Sequence, residues 1–116
     1  MQFGEYLRRE RQRRYEHDAA FSLRAMATRV GIEPSYLSKV ERGQQPPPSE
    51  QTISRLAEDL DLDPDVLLAL AGKVSSDLQR VIMKRPNLFA QIIRELKDVP
   101  DHAILRVVRE VRDGLW

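Results

Sequence analysis

Two observations in this 116-residue sequence predict an all-α fold. Apolar residues recur at the three- and four-residue spacing of helices along most of the chain, and sustained alternation of apolar and polar residues is absent. The pattern predicts a five-helix domain over residues 1–72, followed by a helical region over residues 73–116.

Helical spacing and helix-end residues define the five N-terminal helices. Each shows one apolar stripe, beginning with Phe3 and Leu7, and the fifth lies around Leu67. The start signals are a capping residue or a proline in the first turn, and the stop signals are glycines. The starts are Ser22, Pro34 and the Asp63-Pro64 step, and the stops are Gly31, Gly43 and Gly72.

The C-terminal region contains three further helical stripes, separated by Pro86 and Pro100. The last stripe is wide, and few residues remain within the chain to cover it. It therefore either closes the core of one chain or forms a dimer interface, and the dimer is favoured because a large exposed apolar surface is unusual in a monomer. The residues expected in this interface are Ile104, Val107, Val108, Val111 and Leu115.

Composition excludes several classes of protein. No cysteine is present, so neither a disulfide nor a thiolate metal site can form, and no apolar run approaches the roughly 20 residues of a membrane span. The N-terminus lacks the pattern of a signal peptide, and we expect a cytoplasmic location. Positive charge is concentrated at the start: residues 1–43 hold nine Lys/Arg against six Asp/Glu, and residues 44–116 hold ten against twelve.

Residues 22–43 are typical of two short helices that cross steeply through a tight turn. Ala27 is small enough for close approach at the crossing, Gly31 suits the turn, and Leu37 and Val40 anchor the second helix. The opposite face of that second helix carries hydrogen-bond donors and few carboxylates, as contacts to base edges and phosphates require. A helical hairpin from another kind of bundle is the alternative, although spacing, turn glycine and polar outer face all favour the DNA-binding motif.

The segment from Phe3 to Gly72 resembles the Cro and phage-repressor class of helix-turn-helix regulators, the XRE family. The resemblance is carried by Ala27, Gly31, the run Tyr36-Leu37-Ser38-Lys39 and the ending Glu41-Arg42-Gly43. It implies that the second helix of the motif lies in the major groove and the first crosses the DNA backbone. The implied base contacts are Pro34, Ser35, Tyr36, Ser38 and Lys39. The implied phosphate contacts are Ser22, Arg24, Arg29 and Arg42.

The resemblance also implies a structural ion pair between Arg11 and Glu41, tying the first helix to the third. Two positions depart from the family pattern. Leu23 stands where Gln is frequent, so the Ser22 hydroxyl or its helix N-terminus would serve in its place. Glu33 stands where Ser is common, which predicts a weaker helix cap.

No constellation in the sequence supports enzymatic chemistry, a metal site or a cofactor. His17 has no second ligand at suitable spacing, and the run from Asp59 to Asp65 lacks the turn glycine and closing glutamate of a calcium loop. The arginines between Arg8 and Arg14 are either a solvated helix face or phosphate contacts.

These observations predict a transcriptional regulator that binds double-stranded DNA as a homodimer. Two-fold symmetry would place the recognition helices about 34 Å apart, on inverted half-sites about 10 base pairs apart. Repression by occupying a promoter is the simplest mechanism, and the sequence does not separate it from activation. The alternative is a regulator whose C-terminal region binds a protein partner: a toxin, or a protease that cleaves near residues 72–77.

Overall fold

The computed structural model describes residues 3–114 and residue 116, and that part of the chain is entirely helical apart from its connections. The predicted all-α fold is confirmed. The helices are α1 (Phe3–Tyr15), α2 (Leu23–Val30), α3 (Pro34–Glu41), α4 (Glu50–Leu60), α5 (Pro64–Leu70), α6 (Ser76–Lys84), α7 (Pro86–Leu96) and α8 (Asp101–Asp113). A short 3-10 helix, Ala19–Phe21, lies between α1 and α2.

Local chemistry explains where these helices begin and end. The Ser22 hydroxyl accepts a hydrogen bond from the Ala25 amide at the start of α2. Asp63 caps α5 in the same way, by accepting from the Asp65 amide over 2.8 Å. Gly31 ends α2 with φ of 84°, a left-handed conformation that glycine adopts without steric cost.

The hydrophobic core lies among α1 to α5. Its fully buried side chains come from all five helices: Leu7, Met26, Leu37, Val40, Ile53, Leu56, Leu60, Leu67 and Leu68. Each side chain of this size stabilises the folded state by about 1.5–3 kcal/mol through burial. The first five helices therefore hold one core, and α3 is anchored in it.

The chain divides into two compact units, with Leu78 ending the first and Gln79 beginning the second. This division falls later than the boundary expected after Gly72, because the intervening segment is held to the start of α4. The Lys73 ammonium donates to the Pro48 carbonyl over 2.9 Å. The Ser76 amide and hydroxyl donate to the two carboxylate oxygens of Glu50 over 2.7 and 2.8 Å.

Helices α6, α7 and α8 differ from the first five helices in their burial. No residue of α6, α7 or α8 is buried, although each helix carries an apolar stripe. A chain segment of about 40 residues usually needs an additional constraint, such as oligomerisation, to form a stable core.

Across residues 3–114 and residue 116, the helices are too short or too polar to cross a lipid bilayer.

Candidate nucleic-acid interface

Helices α2 and α3 are joined by a three-residue turn, residues 31–33. The turn is closed by the Gly31 and Ile32 amides, which both donate to the Ala27 carbonyl over 2.9 and 3.0 Å. Ala27 itself is fully buried, so its small side chain permits the close approach that the sequence predicts at this crossing. Pro34 occupies the first turn of α3, where its missing amide hydrogen costs no hydrogen bond.

Glu33 precedes α3 without capping it. Its backbone is extended, and its side chain accepts no hydrogen bond from the first turn of the helix. This agrees with the weaker cap expected for a glutamate at this position. The start of α3 is fixed instead by the proline and by the buried residues that follow.

Helix α3 has a buried face and an outward face. Leu37, Val40 and Glu41 are buried, whereas Ser35 and Lys39 are exposed. The outward face presents a hydroxyl and an ammonium group, while the only carboxylate within α3 points into the protein. This arrangement leaves donors available for base edges and phosphate oxygens.

The other residues expected to contact bases are less accessible. Pro34, Tyr36 and Ser38 are half-buried, and the Tyr36 ring packs against the hydrophobic core. Ser35 and Lys39 are therefore the most exposed of the five residues expected to contact bases. Base contact by any of the five residues remains a prediction.

The four residues expected at phosphates lie in different environments. Arg24 is exposed at the start of α2, and Arg42 is exposed after α3, with its Nε donating to the Ser38 carbonyl over 3.3 Å. The Ser22 oxygen already accepts the capping hydrogen bond of α2.

Arg29 is held against the surface of the domain by several groups at once. Its Nε and Nη2 donate to the two carboxylate oxygens of Asp59 over 2.7 and 2.9 Å, and its Nη1 donates to the Ala20 carbonyl. The guanidinium also lies 5.0 Å from the centre of the Phe21 ring. The hydrogen bond to Asp59 raises the pKa of Arg29 above its ordinary value, against a lowering by desolvation. A phosphate contact by Arg29 would have to compete with this arrangement.

Arg11 and Glu41 form a buried ion pair. Nε of Arg11 donates to Oε2 of Glu41 over 2.7 Å, and Nη2 donates to Oε1 over 2.9 Å. The remaining Nη1 donates to the Phe21 carbonyl over 3.2 Å. Two parallel bonds between one guanidinium and one carboxylate constrain the orientation of the two groups as well as stabilising the pair. The pair therefore sets the position of α3 against α1.

Two residues that position α1 against its neighbours were not identified from the sequence. Gly4 is buried where α1 meets the end of α3, and a Cβ there would collide with the Val40 carbonyl and lie 2.8 Å from the Glu41 carbonyl. Arg14 donates to the Glu10 and Leu60 carbonyls, joining α1 to the end of α4. The sequence does not indicate these contacts, because Gly4 is one glycine in a predicted helix and Arg14 is one arginine in a basic run.

The segment between α1 and α2 forms a short 3-10 helix that packs against the domain. Asp18 caps the 3-10 helix by accepting from the Ala20 amide over 2.9 Å, and the Phe21 side chain packs against the core. Phe21 also receives contacts from Arg11 through its carbonyl and from Arg29 through its ring, so this segment supports the start of α2.

The residues expected at a dimer interface lie on α8. Ile104 and Val107 are half-buried, whereas Val108 and Val111 are about 50% and 61% exposed. Leu115 falls outside the described residues. The apolar surface on α8 is thus available for contact.

The family model described as "Helix-turn-helix domain" matches residues 2–70, more than half of the chain. The chain belongs to this helix-turn-helix family. Since α2 and α3 form the motif within the matched range, the resemblance to XRE-type regulators is supported by both sequence and structure. The protein is a DNA-binding transcriptional regulator of the helix-turn-helix type.

The solved structure of a SinR protein/SinI protein complex contains a chain similar to this one. The two chains are 23% identical, the match covers 91% of this chain and 98% of the other, and the TM-score is 0.51. This likeness shows a shared fold that extends beyond the DNA-binding domain. No curated protein gave a significant match.

Proposed function

We propose that this helix-turn-helix regulator is a repressor that binds an inverted-repeat operator as a homodimer, with α3 in the major groove. The observation that carries the proposal is the division of α3 into a buried face and an outward face. The core residues and the Arg11–Glu41 pair hold one side of the helix, leaving Ser35 and Lys39 outward. Lys39 would donate to an acceptor such as a guanine O6 or N7, and Ser35 to a base or phosphate.

Phosphate contacts would supply most of the affinity. Arg24 and Arg42 are exposed on either side of the motif and are the best placed of the four predicted phosphate residues. The start of α2 adds free amide groups and a positive helix-dipole end, which favour a phosphate nearby. Binding should therefore weaken steeply as salt concentration rises.

The homodimer is supported by the uncovered apolar surface of the C-terminal unit, where no helix has a buried residue. Two copies would present two α3 helices to successive turns of one DNA face. Occupying a promoter in this way would block transcription without an effector.

Selection of bound duplexes from a random pool tests the operator directly. We expect inverted repeats with half-sites about 10 base pairs apart. Fluorescence anisotropy then compares the selected duplex with a scrambled one for Lys39→Ala. That substitution should weaken operator binding by about 1–3 kcal/mol with little effect on the scrambled duplex.

Lys97→Ala is the matched control, because it removes the same exposed charge outside the motif. Arg24→Ala should instead weaken binding to both duplexes. It should also make the fall of log K with log salt less steep, by about one. Unchanged discrimination in a folded Lys39→Ala protein would contradict the assignment of α3 as the reading helix.

A second candidate function is regulation by a protein partner bound to the C-terminal unit. It is favoured by the similarity to a chain of the SinR protein/SinI protein complex, an assembly of two different proteins. A toxin or a protease is the partner class expected from the sequence. If the purified chain stays monomeric and fails to bind the selected duplex until a native partner is added, this function replaces the homodimeric repressor.

A further inference from the structure

The surface of α7 suggests how two copies of the chain would pair. Arg85, at the residue preceding α7, and Leu88, Ile92 and Glu95 within it recur at spacings of three, four and three residues, so they lie along one side of the helix. We call this set the α7 stripe. Leu88 is 62% exposed and Ile92 is 43% exposed, so two large aliphatic side chains in adjacent turns are open to contact.

The α7 stripe borders an apolar groove of about 520 Å³ within the C-terminal unit. Phe89, Leu96 and Val107 line the groove and are half-buried, so this side of α7 already packs within the unit. Leu88 and Ile92 line the same groove from its exposed edge. An additional helix laid along the groove would cover both.

The charges of the stripe are complementary to those of a second copy of the same helix. Arg85 and Glu95 lie at its two ends, about 15 Å apart along the helix at 1.5 Å per residue. Within the part of the chain that the structure describes, neither side chain has an ion-pair partner. The stripe thus ends in one positive and one negative group, each open to a partner of opposite charge.

We infer that the groove is filled by α7 of a second copy, running antiparallel about a two-fold axis level with residue 90. In that register Leu88 faces Ile92 of the second copy, and Arg85 faces its Glu95. Two-fold symmetry repeats both contacts, giving two apolar contacts and two ion pairs from one geometry. A parallel arrangement would place arginine against arginine and glutamate against glutamate. This inference rests on the homodimer of the proposed function and adds its register; of the α8 residues expected at a dimer interface, Val107 lines the groove and the other described ones do not.

Charge reversal tests the register in the full-length chain, with sedimentation velocity as the measurement. Arg85→Glu places two glutamates together at each end of the interface, so the dimer dissociation constant should rise about tenfold or more. Glu95→Arg should have a similar effect. The double variant restores opposite charges in the antiparallel register, and its dissociation constant should return to within about threefold of wild type.

Arg94→Glu is the matched control, because it makes the same charge change on an exposed position of α7 that lies off the stripe. It should leave the dissociation constant within about threefold of wild type. Wild-type protein that remains monomeric at about 100 μM would overturn the second copy as occupant. A double variant no better than the single ones, or an Arg94→Glu variant equally weakened, would overturn the antiparallel register.

The register and the proposed function fail in different ways. If the wild type is dimeric and binds the selected inverted repeat but charge reversal has no effect, the repressor stands and the register is wrong. If the double variant rescues dimerisation but no inverted repeat is selected, the register stands and the operator-binding role is wrong.

Discussion

Replacing Glu41 by glutamine should destabilise the protein far more than the loss of an ordinary hydrogen bond. The substitution keeps the size of the side chain and removes its charge. Arg11 then remains buried, with a side chain only 8% exposed, and faces a neutral amide in place of a carboxylate. Breaking a buried pair in this way typically costs about 3–5 kcal/mol, because one charge is left without compensation.

The structure favours the lower end of that range. The Nη1 group of Arg11 keeps its hydrogen bond to the Phe21 carbonyl, and a glutamine oxygen can still accept one bond from the guanidinium. We therefore expect a loss of about 3 kcal/mol in the free energy of unfolding. For a domain of this size, this corresponds to a fall in Tm of roughly 10 °C or more.

Urea unfolding followed by circular dichroism, at one fixed protein concentration, measures this loss. Arg106→Ala is the control, because Arg106 and Glu110 form an ion pair of 3.5 Å on an exposed face of α8. An exposed pair of this kind contributes about 0.5 kcal/mol or less. The double variant Arg11→Met with Glu41→Leu removes both charges and should be more stable than Glu41→Gln alone. A loss below about 1 kcal/mol for Glu41→Gln, or a double variant less stable than it, would refute the reasoning.

Three further predictions concern the positioning of the motif. Gly4→Ala should lower the free energy of unfolding by about 1–3 kcal/mol in urea, because its methyl group meets the Val40 carbonyl, and an unchanged midpoint would contradict the close approach. Glu33→Ser should raise the unfolding free energy by about 1 kcal/mol by capping α3, and no gain in Tm would show that the cap is satisfied otherwise. Arg29→Ala should cost about 1–2 kcal/mol of stability through loss of its pair with Asp59 while leaving the salt dependence of DNA binding unchanged. A salt slope lowered by about one, with stability intact, would instead identify Arg29 as a phosphate contact.

Much of the fold could be predicted from the sequence because its signals are local. Apolar spacing depends on the residues of one helix, and capping depends on a few neighbours, as Ser22, Gly31 and Asp63 show. The pairing of Arg11 with Glu41 came from the resemblance to a family, since thirty residues separate the two in the chain.

The contacts that sequence reasoning missed are set by tertiary packing. The sequence predicts that Arg29 is a cation available for a phosphate contact. The fold brings Oδ1 of Asp59, in α4, to 2.7 Å from its Nε. In the sequence, nothing distinguishes Gly4 from other helical glycines. In the fold, the end of α3 lies so close to it that a Cβ would not fit. Phe21 lies outside the helices predicted from the sequence, yet its side chain packs against the core.

The absence of buried residues from α6, α7 and α8 has a consequence for the protein in solution. Whatever covers these helices stabilises them by mass action, so their folded fraction rises with the concentration of the covering molecule. On dilution, their amide hydrogens should exchange faster than those of the first five helices, and proteases should cleave there first. With a second copy or another protein covering these helices, the chain would have two stabilities, one intrinsic to the DNA-binding core and one that depends on the concentration of that partner.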